Sequence, residues 1–243
     1  MELDLTRTGV AETITLPGRF NGPAGSANGG YTCGVVAGFL DGGAEVSLRS
    51  PPPLERELAV ERVQDGLRLL DDGTLVADAR MAWLELEVPG PVPPAAAAQA
   101  SNDGYERWTA HHPFRTCVVC GPDREPGDGL RIFPGPYGDL HAADWRPDAS
   151  LADGNGHVRP ECLWAALDCP TSAPVANFGE GPPVVLASLL VRIDGLVPVL
   201  RDYAILSWPI AVDGRKRRAG AVLYDERGQA MARARALWIE LRE

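Results

Sequence analysis

The residues best suited to chemistry are an asparagine and two glycines at the start of a predicted helix. Asn28 precedes Gly29, Gly30 and Tyr31, and the sequence of residues 28–40 predicts a helix. Backbone N–H groups at a helix N-terminus stabilise a developing negative charge, and glycine lets a ligand approach closely. We therefore expect Gly29, Gly30 and Tyr31 to donate to an oxyanion, with Asn28 as a cap or positioning group. The alternative is that these residues only make a tight turn into the helix.

Asp168 is the candidate acid or base. It lies near the C-terminal end of an apolar predicted helix, residues 160–169, where the helix dipole disfavours an anion. A carboxylate placed against both the dipole and an apolar setting often has a functional reason to be there. The alternative is a turn in which Asp168 bonds to groups of Thr171 or Ser172. We expect Pro170 to end this helix.

Cys117 and Cys120 form a CxxCG segment, which is half of a zinc-knuckle signature. Tetrahedral zinc needs two more ligands, and the candidates form no second paired motif: His111, His112, His141, Cys162 and Cys169. A lone CxxC is weak evidence, so we expect a packed turn, no metal and no cofactor, and leave open whether this pair binds zinc. Cys33, Cys162 and Cys169 are expected to be core thiols. His111 and His112 adjoin a proline and are expected to be exposed.

The sequence argues against several other classes of function. No Gly-x-Ser-x-Gly elbow is present, and the glycine-rich run 22–30 lacks the Lys-Ser/Thr ending of a P-loop. The net charge is −10, which makes nucleic-acid binding a poor prospect. The short basic run from Arg215 to Arg218 fits either a phosphate contact or a solvated turn.

Composition and hydropathy predict a cytoplasmic protein without a membrane partner. The first residues, MELDLTRTG, show no signal peptide. The apolar run from Val184 to Val191 is much shorter than the ~20 residues that cross a bilayer. Five cysteines are an odd number and do not suggest a disulfide scaffold.

Two segments 155 residues apart have similar sequences, 73–86 and 228–241. Seven of their fourteen positions are identical, including Trp83 and Trp238. Each copy follows an apolar run and a polar turn, which is a hairpin signature. Alternation predicts one small-residue face in each copy against which a helix can pack closely. These faces comprise Ala77, Ala79, Met81 and Trp83, and Ala232, Ala234, Ala236 and Trp238.

The elements that must position the candidate residues repeat in the same order. Each half reads as one strand, one helix and then four strands, which predicts an α+β fold. We expect a first domain in residues 1–90, a Pro/Ala linker in 91–110 and a second domain in 111–243.

Three segments carry a resemblance to a known family. Residues 20–37 are similar to the Asn-Gly-Gly helix start of hotdog-fold acyl-CoA thioesterases. Residues 117–133 resemble their Cys-x-x-Cys-Gly-Pro segment, and residues 163–170 resemble their acid-bearing central helix. The order of these segments covers most of the chain and resembles a double hotdog, in which each unit has a central helix wrapped by an antiparallel sheet.

The resemblance implies hydrolysis of an acyl-CoA or related acyl thioester at a composite site between the two halves. The first helix has the glycine pair, but Ala37 stands where the acid of the family would fall. The second helix has the acid, but residues 158–160 contain no glycine pair. The site residues implied are Asp168, Asn28 and Gly30 for catalysis, and Gly29 and Tyr31 for substrate binding.

A departure from the family pattern keeps an alternative open. Tandem acyl-CoA thioesterases of the medium-chain type also use a Thr or Ser and a Gln. In this chain those positions fall near Arg192 and Ala236, and neither residue matches. The alternative is therefore a non-catalytic protein that binds acyl ligands. A hotdog dehydratase would pair a His with the acid, but His157 is too distant for one helix face. Exposed sheet edges predict a homo-oligomer.

Overall fold

The chain folds around one large antiparallel sheet. A computed structural model describes residues 9–242; residues 1–8, on which the prediction of no signal peptide rests, and Glu243 lie outside the described residues. Within that range the sheet has eleven strands, and three α-helices accompany it. The predicted α+β class is confirmed.

The predicted order of one strand, one helix and four strands is present in both halves, with β6 added in the second half. The strands of the first half are β1 (Gly9–Thr15), β2 (Ala44–Leu48), β3 (Glu57–Val63), β4 (Gly66–Asp71) and β5 (Thr74–Met81). The strands of the second half are β6 (Gly135–Tyr137), β7 (Leu140–Trp145), β8 (Val184–Ile193), β9 (Tyr203–Asp213), β10 (Lys216–Tyr224) and β11 (Ala230–Glu240). The helices are α1 (Gly29–Ala37), α2 (Pro94–His111) and α3 (Pro160–Ser172).

The strand order repeats in the two halves, as the sequence repeat leads one to expect. The first half runs β1-β3-β4-β5-β2, and the second runs β7-β9-β10-β11-β8 with β6 added at the outer edge. The halves join where β2 pairs with β8, with Val46 opposite Leu189. This arrangement brings α1 and α3 together on one face of the joined sheet, where they pack against each other.

The repeated segments differ in how far their inner faces are buried. Ala77 and Ala79 are buried as predicted, but Met81 and Trp83 are 53% and 73% exposed. The prediction for these two is wrong because β5 ends at Met81, so the alternation does not extend beyond the sheet. In the second half β11 continues to Glu240, and its four predicted inner residues are all buried: Ala232, Ala234, Ala236 and Trp238.

Two glycines one turn apart let α1 and α3 approach backbone to backbone. A Cβ added to Gly30 would lie 2.4 Å from Cβ of Asp168. A Cβ added to Gly34 would lie 2.6 Å from Cα of Glu161. Both separations are far shorter than a carbon–carbon contact. The glycines therefore set the distance between the helices, and with it the position of Asp168 at the start of α1.

Helix α3 does not end at Pro170, contrary to the sequence prediction. It continues to Ser172, and the proline lies within its last turn. Within the last turn the proline removes a single amide donor, and the hydroxyl groups of Thr171 and Ser172 donate to the backbone carbonyls of Asp168 (2.6 Å) and Cys169 (2.7 Å). These hydroxyls bond to backbone oxygens and leave the Asp168 carboxylate to other partners.

The segment expected to be a linker contains helix α2, which the sequence analysis missed. Pro94 occupies the favourable first turn, and the residues that α2 buries recur at helical spacing: Ala97, Ala100, Gly104 and Trp108. They pack α2 onto β6 and β7. None of the described helices combines the length and apolar character needed to span a bilayer. The domain bounds stay a prediction.

Candidate active site between the two central helices

A cavity of about 690 Å³ opens where the N-terminus of α1 meets the C-terminal half of α3. Its walls are mainly apolar, with residues from both halves and from α2: Leu48, Trp108, Phe178, Leu186 and Trp238. Asn28, Gly29 and Asp168 also line this cavity. Apolar walls with a few convergent polar groups are typical of a small-molecule site.

The start of α1 is organised by the buried side chain of Asn28. Its Oδ1 accepts the N–H of Tyr31 at 2.8 Å, which is an N-cap hydrogen bond. The N–H of Gly30 donates to Oδ2 of Asp168 at 2.9 Å. Among residues 9–242, no acceptor receives the N–H of Gly29. Gly29 thus brings a free donor to the cavity, at the positive end of the α1 dipole.

Asp168 is almost completely buried, and the two oxygens of its carboxylate differ in their hydrogen bonding. Its Oδ2 accepts hydrogen bonds from Gly30 and from Nδ2 of Asn28, both at 2.9 Å. Its Oδ1 is buried and has no hydrogen-bond partner in the described structure. Burial raises the pKa of the carboxyl group to about 7, against the opposing effect of these two hydrogen bonds. The group is therefore suited to take up and release a proton at neutral pH.

The structure brings the predicted site residues into one network. Asn28 and Gly30 both donate hydrogen bonds to Asp168, and Gly29 lines the cavity beside them. The dipole of α1 also explains why an acid is tolerated at the unfavourable end of α3. Tyr31 contributes only its N–H at the helix start, because its ring stacks on Phe20 with centroids 3.9 Å apart.

The opposite end of the helix pair has different chemistry. When α1 and α3 are aligned at their N-caps, α3 begins with Arg159, Pro160 and Glu161 where α1 has its asparagine and two glycines. Pro160 has no N–H to donate, and Nε of Arg159 pairs with Oε1 of Glu161 at 3.0 Å. In this alignment the position in α1 that matches Asp168 is Ala37.

A cluster of thiols adjoins the carboxylate. Sγ of Cys117 lies 3.7 Å from Sγ of Cys169, and the sulfur atoms of Cys117, Cys120 and Cys169 are all within 4.8 Å of one another. These three cysteines also line the cavity. Cys169 is thus a buried thiol, as expected, but it belongs to a cluster that the sequence did not reveal because its members come from distant segments.

His112 is buried, and the expectation that it is exposed is wrong. Its ring lies beneath the end of α2 beside Trp108, and Nδ1 accepts the N–H of Phe114 at 2.8 Å. Nε2 lies 3.0 Å from Sγ of Cys120. Burial lowers the pKa of His112 to about 4, so the ring is neutral at neutral pH. His111, in contrast, is exposed as predicted.

Sequence reasoning also missed the contribution of α2 to the cavity wall. Trp108 lines the cavity, and its indole N–H donates to the carbonyl of Pro134 at 3.1 Å. The helical spacing of the small residues before Trp108 is a signal that could have identified the helix. The proline-rich start and the alanines that follow instead suggested a linker.

Three solved structures resemble almost the whole chain. The tesB protein of Mycobacterium avium subspecies paratuberculosis superposes with a TM-score of 0.62 at 9% identity, over 97% of this chain and 96% of that one. A provisionally named thioesterase II from Thermobifida fusca gives 0.59 at 14% identity, over 98% and 96%. A provisionally named oleoyl thioesterase from Lactobacillus plantarum gives 0.59 at 9% identity, over 98% and 99%.

These likenesses confirm the predicted resemblance at the level of the fold. The chain has the fold of these thioesterase structures over nearly its full length. No protein-family model matches the chain, and no curated protein matches its sequence. Because one fold supports many activities, the function has to be argued from the site itself.

Proposed function

We propose that the protein hydrolyses an acyl thioester at a composite site between two hotdog units. The observation that carries this proposal is the pairing of Asp168, from α3, with the N-terminus of α1 beside an apolar cavity. A carboxylate with a free buried oxygen and an unpaired backbone N–H lie on the same cavity. Together they supply a general base and an electrophilic donor, which are the two groups that thioester hydrolysis needs.

Asp168 acts as the general base in this proposal. Its free Oδ1 accepts a proton from a water molecule as the water oxygen attacks the thioester carbonyl. The hydrogen bonds from Asn28 and Gly30 hold Oδ2, so they orient the carboxylate and leave Oδ1 free to act as the base. When the tetrahedral intermediate collapses, the carbon–sulfur bond breaks, and the proton on Asp168 passes to the departing thiolate.

Gly29 stabilises the oxyanion that forms during attack. Its N–H is unpaired, whereas the N–H groups of Gly30 and Tyr31 are engaged with Asp168 and Asn28. The α1 dipole adds to this single donor because its positive end lies at the same place. Thus, of the three donors expected from sequence, we assign the oxyanion to Gly29 and the orientation of the base to Gly30.

The cavity defines the substrate class that we propose. Its apolar walls suit the acyl chain, while the thioester carbonyl lies beside Asp168 and Gly29. The names of the similar structures, which include an oleoyl thioesterase, support an acyl-CoA or a related acyl thioester. The cytoplasmic location and the homo-oligomer stay predictions from sequence.

A panel of acyl-CoA substrates of increasing chain length tests this function. We expect the purified protein to release free thiol from at least one chain length, as measured with a thiol-reactive dye. Thermal stabilisation by acyl-CoA without thiol release at any length would instead identify a non-catalytic binder. The Asp168→Asn variant serves as the control for contaminating thioesterases, because it keeps an acceptor for the N–H of Gly30.

A further inference from the structure

We propose that Cys117, Cys120 and Cys169 bind a zinc ion through their three thiolates, beside the acyl-thioester cavity. The site is separate from the proposed hydrolytic reaction and does not depend on it. The proposed zinc site joins the turn that contains Cys117 and Cys120 to the C-terminal half of α3. Cys117 and Cys169 are 52 residues apart in the sequence.

The spacing of the sulfur atoms fits a tetrahedral zinc site. With zinc–sulfur bonds of about 2.3 Å, two sulfur ligands of a tetrahedron lie about 3.8 Å apart. The sulfur atoms of Cys117 and Cys169 are 3.7 Å apart, and all three sulfurs lie within 4.8 Å of one another. Small side-chain rotations are enough to close the remaining gap around a single ion.

The backbone around the first two cysteines is built as a tight turn. The N–H of Gly121 donates to the carbonyl of Cys117 at 2.8 Å. A Cβ at Gly121 would lie 2.5 Å from that carbonyl oxygen and 2.5 Å from the carbonyl oxygen of Arg115. Only glycine fits here, and the turn directs the side chains of Cys117 and Cys120 to the same point. The glycine of the CxxCG pattern therefore allows the turn that brings these two thiols together beside Cys169.

His112 acts as an outer hydrogen-bond donor in this proposal. Because its Nδ1 accepts the N–H of Phe114, the proton of the neutral ring is on Nε2. Nε2 therefore donates to Sγ of Cys120, 3.0 Å away, and an N–H that donates to a thiolate orients it and stabilises its charge. The ion then has three protein ligands. Its fourth position is left for water or for a ligand in the cavity, since all three cysteines line that cavity.

Metal analysis of the purified chain tests the site directly. After chelation and reconstitution with zinc chloride under reducing conditions, we expect about one zinc ion per chain. Cys117→Ser, Cys120→Ser and Cys169→Ser should each bind zinc far more weakly. Cys162→Ser is the matched control, because Cys162 is a buried cysteine of the same helix outside the cluster, and it should keep the metal.

Cobalt spectroscopy of the wild-type chain provides a test that does not depend on the folding of any variant. We expect Co²⁺ to give sulfur-to-metal charge-transfer bands of the strength of three thiolates, and zinc to displace it. The His112→Gln variant should keep the ion but bind it about 10–100-fold more weakly. No bound zinc and no charge-transfer band in the wild-type protein would overturn the proposal. Complete loss of the ion from His112→Gln would show that His112 is itself a ligand and that the fourth position is not open.

The two proposals can fail independently. The metal measurements need no substrate, and Asp168→Asn should retain zinc because its carboxylate is not in the ligand set. A protein that binds zinc but releases no thiol would contradict only the proposed hydrolysis. A protein that hydrolyses acyl-CoA but does not bind zinc after reconstitution would contradict only the zinc site.

Discussion

The two ends of the α1–α3 pair occupy matching places in the fold but carry different residues. At one end the N-terminus of α1, with Gly29 and Gly30, meets the buried carboxylate of Asp168. At the other end α3 begins with Pro160, and the matching position in α1 is Ala37. At the first end the N–H of Gly29 and the carboxylate of Asp168 lie on one cavity, whereas the two matching positions at the second end hold a proline without an N–H and an alanine without an acid.

In the proposed function, the fold provides two equivalent locations between the helices, and a few residues decide which of them can carry out chemistry. The helices approach closely at both ends, as the contacts of Gly30 and Gly34 show. A proline in place of a glycine removes a backbone donor, and an alanine in place of an aspartate removes the base. We conclude that the chain has two equivalent locations and one proposed site.

The largest expected effect comes from removing the base at the first end. Asp168→Asn should lower kcat/KM for acyl-CoA by about 10²–10⁴-fold, which is the usual contribution of a general base. Glu161→Gln changes an acid of the same helix at the second end and should leave kcat/KM within about twofold. Steady-state thiol release measures both. Equal losses in the two variants would remove the distinction between the ends.

The second effect tests the free backbone donor by copying the other end. Gly29→Pro introduces the residue found in α3 and removes the N–H, and we expect kcat to fall by about 10²–10³-fold. Proline is compatible with the first turn of a helix. Gly29→Ala is the control, because it keeps the N–H while it also adds a side chain at this position. Its Cβ would lie 2.9 Å from Cδ2 of Leu186. Equal activity of the proline and alanine variants would exclude Gly29 as the oxyanion donor.

The third effect separates helix packing from chemistry. Gly30→Ala and Gly34→Ala each place a methyl group against the neighbouring helix, and each should lower the free energy of unfolding by about 1–3 kcal/mol. Urea denaturation measures these losses. Gly30→Ala should also lower activity, because its methyl group displaces Asp168, whereas folded Gly34→Ala should stay active. An inactive but folded Gly34→Ala would show that activity depends on the second end as well.

The smallest effect concerns the hydrogen bond from Asn28 to Asp168. Asn28→Ser keeps a capping oxygen for α1 but loses the amide that donates to Oδ2, at 2.9 Å in the wild type. We expect kcat/KM to fall by about tenfold, the equivalent of roughly 1.4 kcal/mol, and the free energy of unfolding to change by less than about 1 kcal/mol. Arg159→Ser at the second end should leave activity unchanged. Full activity of Asn28→Ser would show that the amide does not position the base.

Local patterns in the sequence predicted much of the fold and brought attention to residues that the structure places together in the candidate site. The two copies around Trp83 and Trp238 revealed the repeat, and the glycine pair and Asp168 were identified from helix-end chemistry. The sequence could not show that Gly30 would be engaged by Asp168, because that contact depends on how closely two distant helices pack. It also could not bring Cys169 to the CxxC turn, since only the tertiary structure joins the two segments.

The failures in detail also have physical causes. Trp83 and Trp238 occupy the same position in the repeat, but only Trp238 is buried. The reason is that β5 ends before Trp83, whereas β11 continues past Trp238. Pro170 lies in the last turn of α3, where it removes a single amide donor, and the hydroxyls of Thr171 and Ser172 donate to two carbonyls of that turn. A repeat in sequence thus indicates shared topology more reliably than shared burial.

The most direct test of the central claim is the number of substrate analogues that one chain binds. Calorimetric titration with a 2-oxoalkyl-CoA, a non-hydrolysable ketone in which a methylene group separates the sulfur from the carbonyl, counts the sites without requiring turnover. A single site predicts about one equivalent per chain, with weaker binding by Gly29→Pro because the ketone carbonyl loses its hydrogen-bond donor. Two equivalents per chain would contradict a single site. One equivalent whose affinity is reduced by Glu161→Gln, but not by changes to Gly29 and Asp168, would place the site at the other end of the helix pair.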